Sequence, residues 1–264
     1  MTEQRKRKRA VRSAFDRAAS TYDAAAAVQR EACARLRTFA DAHLLAHEAS
    51  RVVDAGCGTG HALAALMERF PQAQHIALDF SPAMLLRACQ NGAKALPLCA
   101  DIEHLPLRNA SIDVIWSSLA VQWCSSGHVA AEIARVLTPG GMAWIATLGP
   151  RTLHELSDAF AQIDDVAHVI RFQDATHWRS AAEQAGLETL AVEQSDIAGL
   201  AADLRSLLRD IKAIGAHTLD DRRRQPLGKS AWWTLQCAYE KWRRADDQLP
   251  ATYDLILIAL RKPA

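Results

Sequence analysis

The chain holds 264 residues, half of them hydrophobic, and its formal net charge is +1. A chain of that size can bury one substantial core and still carry an insertion, while so balanced a charge offers no general attraction to nucleic acid or to a membrane surface. No stretch approaches the roughly 18 consecutive apolar residues of a spanning helix, and the six cysteines form no C-x-x-C pair, which argues against a metal site and fits free thiols in a cytoplasmic setting.

Residues 1–12 are dominated by "RKRKRAVR", with Arg5, Lys6, Arg7, Lys8, Arg9 and Arg12, and read as a basic flexible tail. No apolar segment follows it, so a targeting signal is not expected. From Ser13 to about His47 the chain is alanine-rich, and Val28, Cys33, Leu36 and Phe39 recur at steps suited to one helix face. Short apolar runs then alternate with helical stretches. "RVVDA" predicts a strand, "ALAALMERF" a helix ended by Pro71, and "QHIALDF" the next strand. "SPAMLLRACQNG" predicts a helix opened by Ser81, with Pro82 at its first position and Gly92 closing it. "ALPLCAD" and "IDVIWSS" are further strands. "GHVAAEIARVL" is a helix with Val129, Ile133, Val136 and Leu137 on one side, stopped by "TPGG", and "MAWIATL" is the strand after it. Alternation of this kind predicts a mostly parallel sheet covered by helices on both faces.

Past Leu148 the rhythm loosens. Helices are expected at about 151–165 and 176–185, a strand at "ETLAVEQSD", and a helix at "DLRSLLRDIKAIGAH". The last element, "TYDLILIALRK", is a strand that must rejoin the sheet. Residues 13–198 and 249–264 therefore read as one α/β domain, and 199–248 as a helical insertion before the final strand.

The segment "VVDAGCGTGHA" places Gly56, Gly58 and Gly60 at alternate positions behind Asp54, with Cys57 between the first two. A dinucleotide fingerprint would need its third glycine at position 61, which is His61, and a phosphate-binding P-loop would need a lysine after Gly60. An acid at this loop disfavours phosphate and favours an ammonium. The second strand ends in Asp79, followed by Phe80, where a carboxylate can accept from ribose hydroxyls. The third ends in Asp101 and Ile102, an acceptor for an exocyclic amine beside an apolar surface for a flat base. The fourth ends in Ser117 and Ser118, and Met84 is placed to pack nearby. An acid near a glycine loop, one for ribose and one for adenine suit a nucleoside that carries an amino acid, namely S-adenosylmethionine.

These residues resemble the class I methyltransferases. Within that superfamily "FDRAASTYD", "SSLAVQWC", "LRDIKAIGAH" and "LPATYDLILIAL" resemble the malonyl-acyl-carrier-protein O-methyltransferases of biotin biosynthesis, whereas "DRRRQPLGKS" departs from that pattern. The resemblance implies a Rossmann-like, seven-stranded, mostly parallel sheet with an antiparallel last strand, an N-terminal helical segment and a helical lid. It also implies methyl transfer to the free carboxyl of a malonyl thioester, carried by acyl-carrier protein or coenzyme A, which hides a charge before chain elongation.

A carboxylate of pKa about 4 is ionised at neutral pH, so no general base is expected, and catalysis becomes positioning. Tyr22 is the candidate to reach over cofactor and acceptor, and Gln122 and Trp123 follow the fourth strand where an acceptor pocket opens. Lys212 and His217, with Arg209, would put positive charge on the lid or else form a solvated helix face. Arg222, Arg223 and Arg224, or the basic N-terminus, are candidates to steer an acidic carrier protein. A monomer is expected. The rivals are methylation of another small carboxylic acid and a methyltransferase-like assembly factor.

Overall fold

The computed structural model describes residues 3–43, 48–92, 94–213 and 227–264. Three helices come first: α1 (Glu3–Ala18), α2 (Tyr22–Ala25) and α3 (Ala27–Ala42). The alternating region follows as β1 (Arg51–Ala55), α4 (Leu63–Arg69), β2 (Gln74–Asp79), α5 (Pro82–Gln90), β3 (Leu96–Cys99) and β4 (Ile112–Ser118). A short 3-10 turn at Val121–Trp123 leads to α6 (Ser126–Val136) and β5 (Leu137–Leu148). The last part contains α7 (His154–Phe160), α8 (Ala175–Gln184), β6 (Glu188–Ala201), α9 (Leu204–Ala213), α10 (Lys229–Glu240) and β7 (Leu249–Arg261).

The strands form a seven-stranded sheet in the order β3-β2-β1-β4-β5-β7-β6. β1 pairs parallel with β2 and β4, β4 pairs parallel with β5, and β7 lies antiparallel to both β5 and β6. Central strands are buried on both faces. Val52 joins Leu36, Val114, Met142 and Trp144 on one side, while its neighbour Val53 joins Ile115, Ile133, Ala143 and Ile145 on the other. Side chains alternate across a strand, so a run such as "RVVDA" with apolar residues at both parities must sit between two helical layers. Strand order reverses between β1 and β4, and the carboxyl ends of those strands open the crevice where such sheets bind ligands.

Local signals operate as expected at α5: the Ser81 hydroxyl accepts from the Met84 N–H and Pro82 begins the helix. The flexible tail at 1–12 is corrected. Residues from Glu3 onward are helical, because Val11, Ala14 and Ala18 bury one face of α1 while the basic residues take the other. Strand β6 also runs on to Ala201, so the inserted segment starts after it and not at 199. Among the described residues, no helix is long and apolar enough to cross a membrane.

Candidate functional site

Three adjoining cavities lie at the carboxyl ends of the central strands. The first is bordered by Phe15, Gly58, Asp79, Phe80, Met84, Asp101, Ile102 and Trp123, among others. The second is bordered by Arg30, Asp54, Gly56, Cys57, Gly60, His61 and Asn91. The third, of about 280 Å³, is largely apolar, with Leu148, Leu153, Leu156, Phe172, Leu208 and Ile211 in its wall and Gln122, Trp123 and Lys212 beside them. Tyr22 borders all three.

The glycine loop is shaped by backbone that only glycine takes easily. Gly56 has φ +82°, its N–H donates to Leu78 O at 2.7 Å, and a Cβ there would collide with Ala120 of the loop after β4. Gly58 has φ +53° and nothing within 4 Å of where its Cβ would stand, so its bare face looks into open space. The Gly58 N–H donates to Asp79 Oδ2 at 2.9 Å, and the Ser81 N–H donates to Asp79 Oδ1 at 2.8 Å. Asp79 thereby fixes the loop and the start of α5 together, and its carboxylate keeps lone-pair capacity for a ligand hydroxyl.

Burial, and then the nearby charge of Asp79, pushes the Asp54 carboxyl up to about 8. Burial likewise pushes Asp79 up to about 6, against the hydrogen bonds from Ser81 and Gly58. Asp54 Oδ2 is buried with no hydrogen-bond partner among the described residues. A buried carboxylate oxygen without a donor is costly, and a cationic amine arriving in the second cavity, which Asp54 borders, would satisfy it. Arg30, on the same cavity, offers a cation for the carboxylate of a ligand amino acid. The residues present therefore fit the zwitterionic end of S-adenosylmethionine. Cys57 is buried, and burial with the charges of Asp54 and Asp79 raises its thiol, which leaves it an inert lining group.

Two clasps hold the N-terminal helices over this crevice. Thr59 Oγ1 donates to Asp23 Oδ1 at 2.6 Å, and Asn91 Nδ2 donates to Thr59 O at 3.2 Å, which ties α2 to the glycine loop and so places Tyr22. Ser81 Oγ donates to Asp16 Oδ1 at 2.6 Å, which ties α1 to the cap of α5. Burial, followed by the charges of Asp79 and Asp23, pushes the Tyr22 phenol above its ordinary value, so its hydroxyl stays a donor.

The structure brings together Tyr22, Asp54, Gly56, Cys57, Gly58, Gly60, Asp79, Phe80, Met84, Asp101 and Ile102 on the first two cavities, and Gln122, Trp123 and Lys212 on the third. Ser117 is different. It is fully buried, and its hydroxyl donates to Ala55 O at 2.7 Å, stitching β4 to β1; Ser118 is the serine that meets the cavities. Side chains alternate along a strand, and only one of two adjacent serines can face the crevice. His217 and Arg222, Arg223 and Arg224 lie outside the described residues.

Sequence reasoning missed Arg7, Lys8, Val11 and Phe15, which roof the first cavity from α1, and Arg30 and Asn91 on the second. The recurrence of Val11, Ala14 and Ala18 at helical spacing was the available signal for the roof.

Residues 53–145 match the family model described as a methyltransferase domain. A malonyl-[acyl-carrier protein] O-methyltransferase of Dechloromonas aromatica (strain RCB) is 44% identical over 260 residues, spanning 96% of this chain and 94% of its own. The protein of the same name from Laribacter hongkongensis (strain HLHK9) is 42% identical over 268 residues, spanning 96% and 89%. The chain belongs to the malonyl-[acyl-carrier protein] O-methyltransferase family. For this O-methyltransferase the fold has a second line of support. A solved geranyl diphosphate C-methyltransferase from Streptomyces coelicolor A3(2), in complex with Mg2+, geranyl diphosphate and S-adenosyl-L-homocysteine, superposes with a TM-score of 0.54. It covers 87% of this chain and 80% of its own at 15% identity, which speaks for the fold alone.

Proposed function

We propose that this O-methyltransferase uses S-adenosylmethionine to esterify the free carboxyl of a malonyl group held as a thioester on acyl-carrier protein, the first committed step towards a pimeloyl chain for biotin. The observation that carries this reading is the position of Tyr22 at the junction of the three cavities. Two of them suit the two halves of the cofactor, and the third suits an acyl group.

When bound, the cofactor supplies an electrophilic methyl on a sulfonium. The protein's own residues position what reacts with it. Asp54 would take the cofactor's amine and Asp79 its ribose hydroxyls, and Ile102 and Phe80 would border its base. The acceptor carboxylate, already ionised, needs no proton removed. Tyr22, kept protonated, donates to an acceptor oxygen and sets its direction of approach, and Trp123 and Phe15 close the wall between the first and third cavities. The apolar third cavity excludes water, which strengthens each polar contact and keeps the oxygen on line. Lys212, exposed at its rim, meets the incoming negative charge. A carrier protein delivers the group on its phosphopantetheine arm, which is long enough to reach a crevice roofed by α1.

The test is a mass-spectrometric transfer assay offering malonyl-carrier protein, malonyl-coenzyme A and free dicarboxylic acids side by side. One added methylene mass on a malonyl thioester supports the reading. Product only on a free acid would move the substrate assignment to the small-acid rival.

A further inference from the structure

One wall residue of the acceptor cavity, His168, belongs to a polar pair that the mechanism above leaves unused. The segment between α7 and α8 runs along its wall and contributes His168, Val169, Ile170 and Phe172. His168 Nε2 lies 2.8 Å from Asp164 Oδ1, and the His168 ring stacks on Phe160 with centroids 3.7 Å apart and planes 7° from parallel. The two polar side chains retain only 12% and 16% exposure. A ring clamped by a hydrogen bond on its edge and an aromatic face beneath has one orientation, so its remaining nitrogen is aimed before any ligand arrives.

The other titratable groups on this cavity are few. Lys212 comes from α9, Tyr22 from α2 and Tyr253 from β7, and the rest of the wall is dominated by apolar side chains. Burial raises both phenols, so they remain neutral donors. Lys212 is exposed, and a flexible, hydrated ammonium discriminates poorly between ligands. His168 is the largely buried, pre-oriented polar side chain of the set. In an imidazolium both ring nitrogens donate. With Nε2 held by Asp164, Nδ1 is the nitrogen left for the ligand, and an anion arriving there favours the form in which Nδ1 carries a proton.

We propose that His168 is a substrate-binding residue which receives the acceptor's free carboxylate through Nδ1, and that Asp164 is its positioning residue. The inference rests on the malonyl-thioester reading and deepens it, because it assigns the group that tells an anionic acyl thioester from a neutral one. An apolar cavity alone would accept an acetyl thioester about as readily as a malonyl one. A fixed ring N–H rewards the ligand that ends in a negative charge, through a charge-assisted bond.

The experiment compares the full-length enzyme with His168→Gln, His168→Arg and Asp164→Asn, using malonyl-coenzyme A as substrate and acetyl-coenzyme A as a neutral competitor. Loss of one charge-assisted bond predicts a KM for the malonyl thioester raised about 10- to 100-fold in His168→Gln, with kcat changed less and the inhibition constant of acetyl-coenzyme A unchanged. His168→Arg restores most of the KM, and Asp164→Asn raises it by a smaller factor. Calorimetric affinity for S-adenosylmethionine, equal in all four proteins, reports that the fold is intact; if His168→Gln does not fold, the Asp164→Asn comparison decides. A KM within twofold of wild type, or equal weakening of malonyl and acetyl ligands, overturns the inference and makes His168 a packing residue. Wild-type enzyme with no methylated malonyl product overturns the inference together with the reading beneath it.

Discussion

Lys8 and Asp101, 93 residues apart in sequence, form an ion pair across the roof of the cofactor crevice, and the same ammonium reaches Glu103. Glu103 is almost wholly buried and also accepts the Ser125 N–H. Burial alone would lower the Lys8 ammonium, but hydrogen bonds and charge from Asp101 and Glu103 outweigh it and hold it above its ordinary value. A lysine raised on folding contributes stability present at every lower pH and lost only as pH climbs through its folded value, so α1 stays latched at neutral pH. Lys8→Met should therefore destabilise the protein by about 3 kcal/mol, the cost of stranding a buried carboxylate. Adding Glu103→Gln should recover part of that loss. Thermal unfolding of the single and double variants checks both, and an unchanged midpoint for Lys8→Met would return residues 3–12 to the status of a dangling tail.

Asp54 should make S-adenosylmethionine binding a proton-coupled event. Its carboxyl sits at about 8 in the free protein, above the ordinary 3.8. A raised carboxylate stabilises the fold at low pH and loses that contribution as pH rises through its folded value. The free enzyme should consequently lose stability between about pH 4 and 8, and a cationic cofactor should reverse the loss by favouring the ionised form. Calorimetric titration at pH 7 in buffers of different ionisation enthalpy should show net proton release on S-adenosylmethionine binding. Asp54→Asn should remove that release and weaken binding about 10- to 100-fold, the loss of one charge-assisted contact.

Gly56→Ala places a methyl group against Ala120 at a left-handed backbone position. Both the collision and the positive φ are unfavourable, and the loops after β1 and β4 must separate to admit it. A loss of about 2 to 4 kcal/mol in stability is expected, with cofactor affinity falling alongside. Gly58→Ala, whose Cβ meets nothing in the protein, should lose only about 1 to 2 kcal/mol of stability to its left-handed backbone, while also losing cofactor affinity. Paired denaturation and binding curves for the two variants distinguish steric need from ligand room.

Tyr22→Phe removes one hydroxyl at the meeting point of the cavities and leaves the ring. Methyl transfer to malonyl thioester should slow by about 10- to 100-fold in kcat, with the affinity for S-adenosylmethionine within a few fold of wild type. Because the phenol is held protonated, the kcat–pH profile of the wild type should show no alkaline limb from Tyr22 in the working range. An unaffected rate in Tyr22→Phe would assign the tyrosine to packing between α2 and α9.

The elements with local signals were legible from residues alone. "RVVDA" became β1 because its apolar residues fill both faces of a central strand, and Ser81 with Pro82 opened α5 by capping chemistry confined to four residues. The glycines and the acids Asp54, Asp79 and Asp101, read as a cofactor site, come together on one crevice, since their spacing follows the strand ends that any sheet of this order aligns. Alternation along β4 was the finer test, and there Ser117 turned inward to Ala55 while Ser118 met the ligand space. What the sequence by itself determined, then, was the sheet, its glycine loop and the class of chemistry, all carried by contacts between near neighbours. Only the tertiary structure decided that the basic start is a roof, because Lys8 finds its counter-charges at Asp101 and Glu103, and that His168, held by Asp164, joins Tyr22 and Lys212 on the third cavity, because that cavity is assembled from α2, α9, β7 and the segment after α7, whose meeting no local pattern encodes.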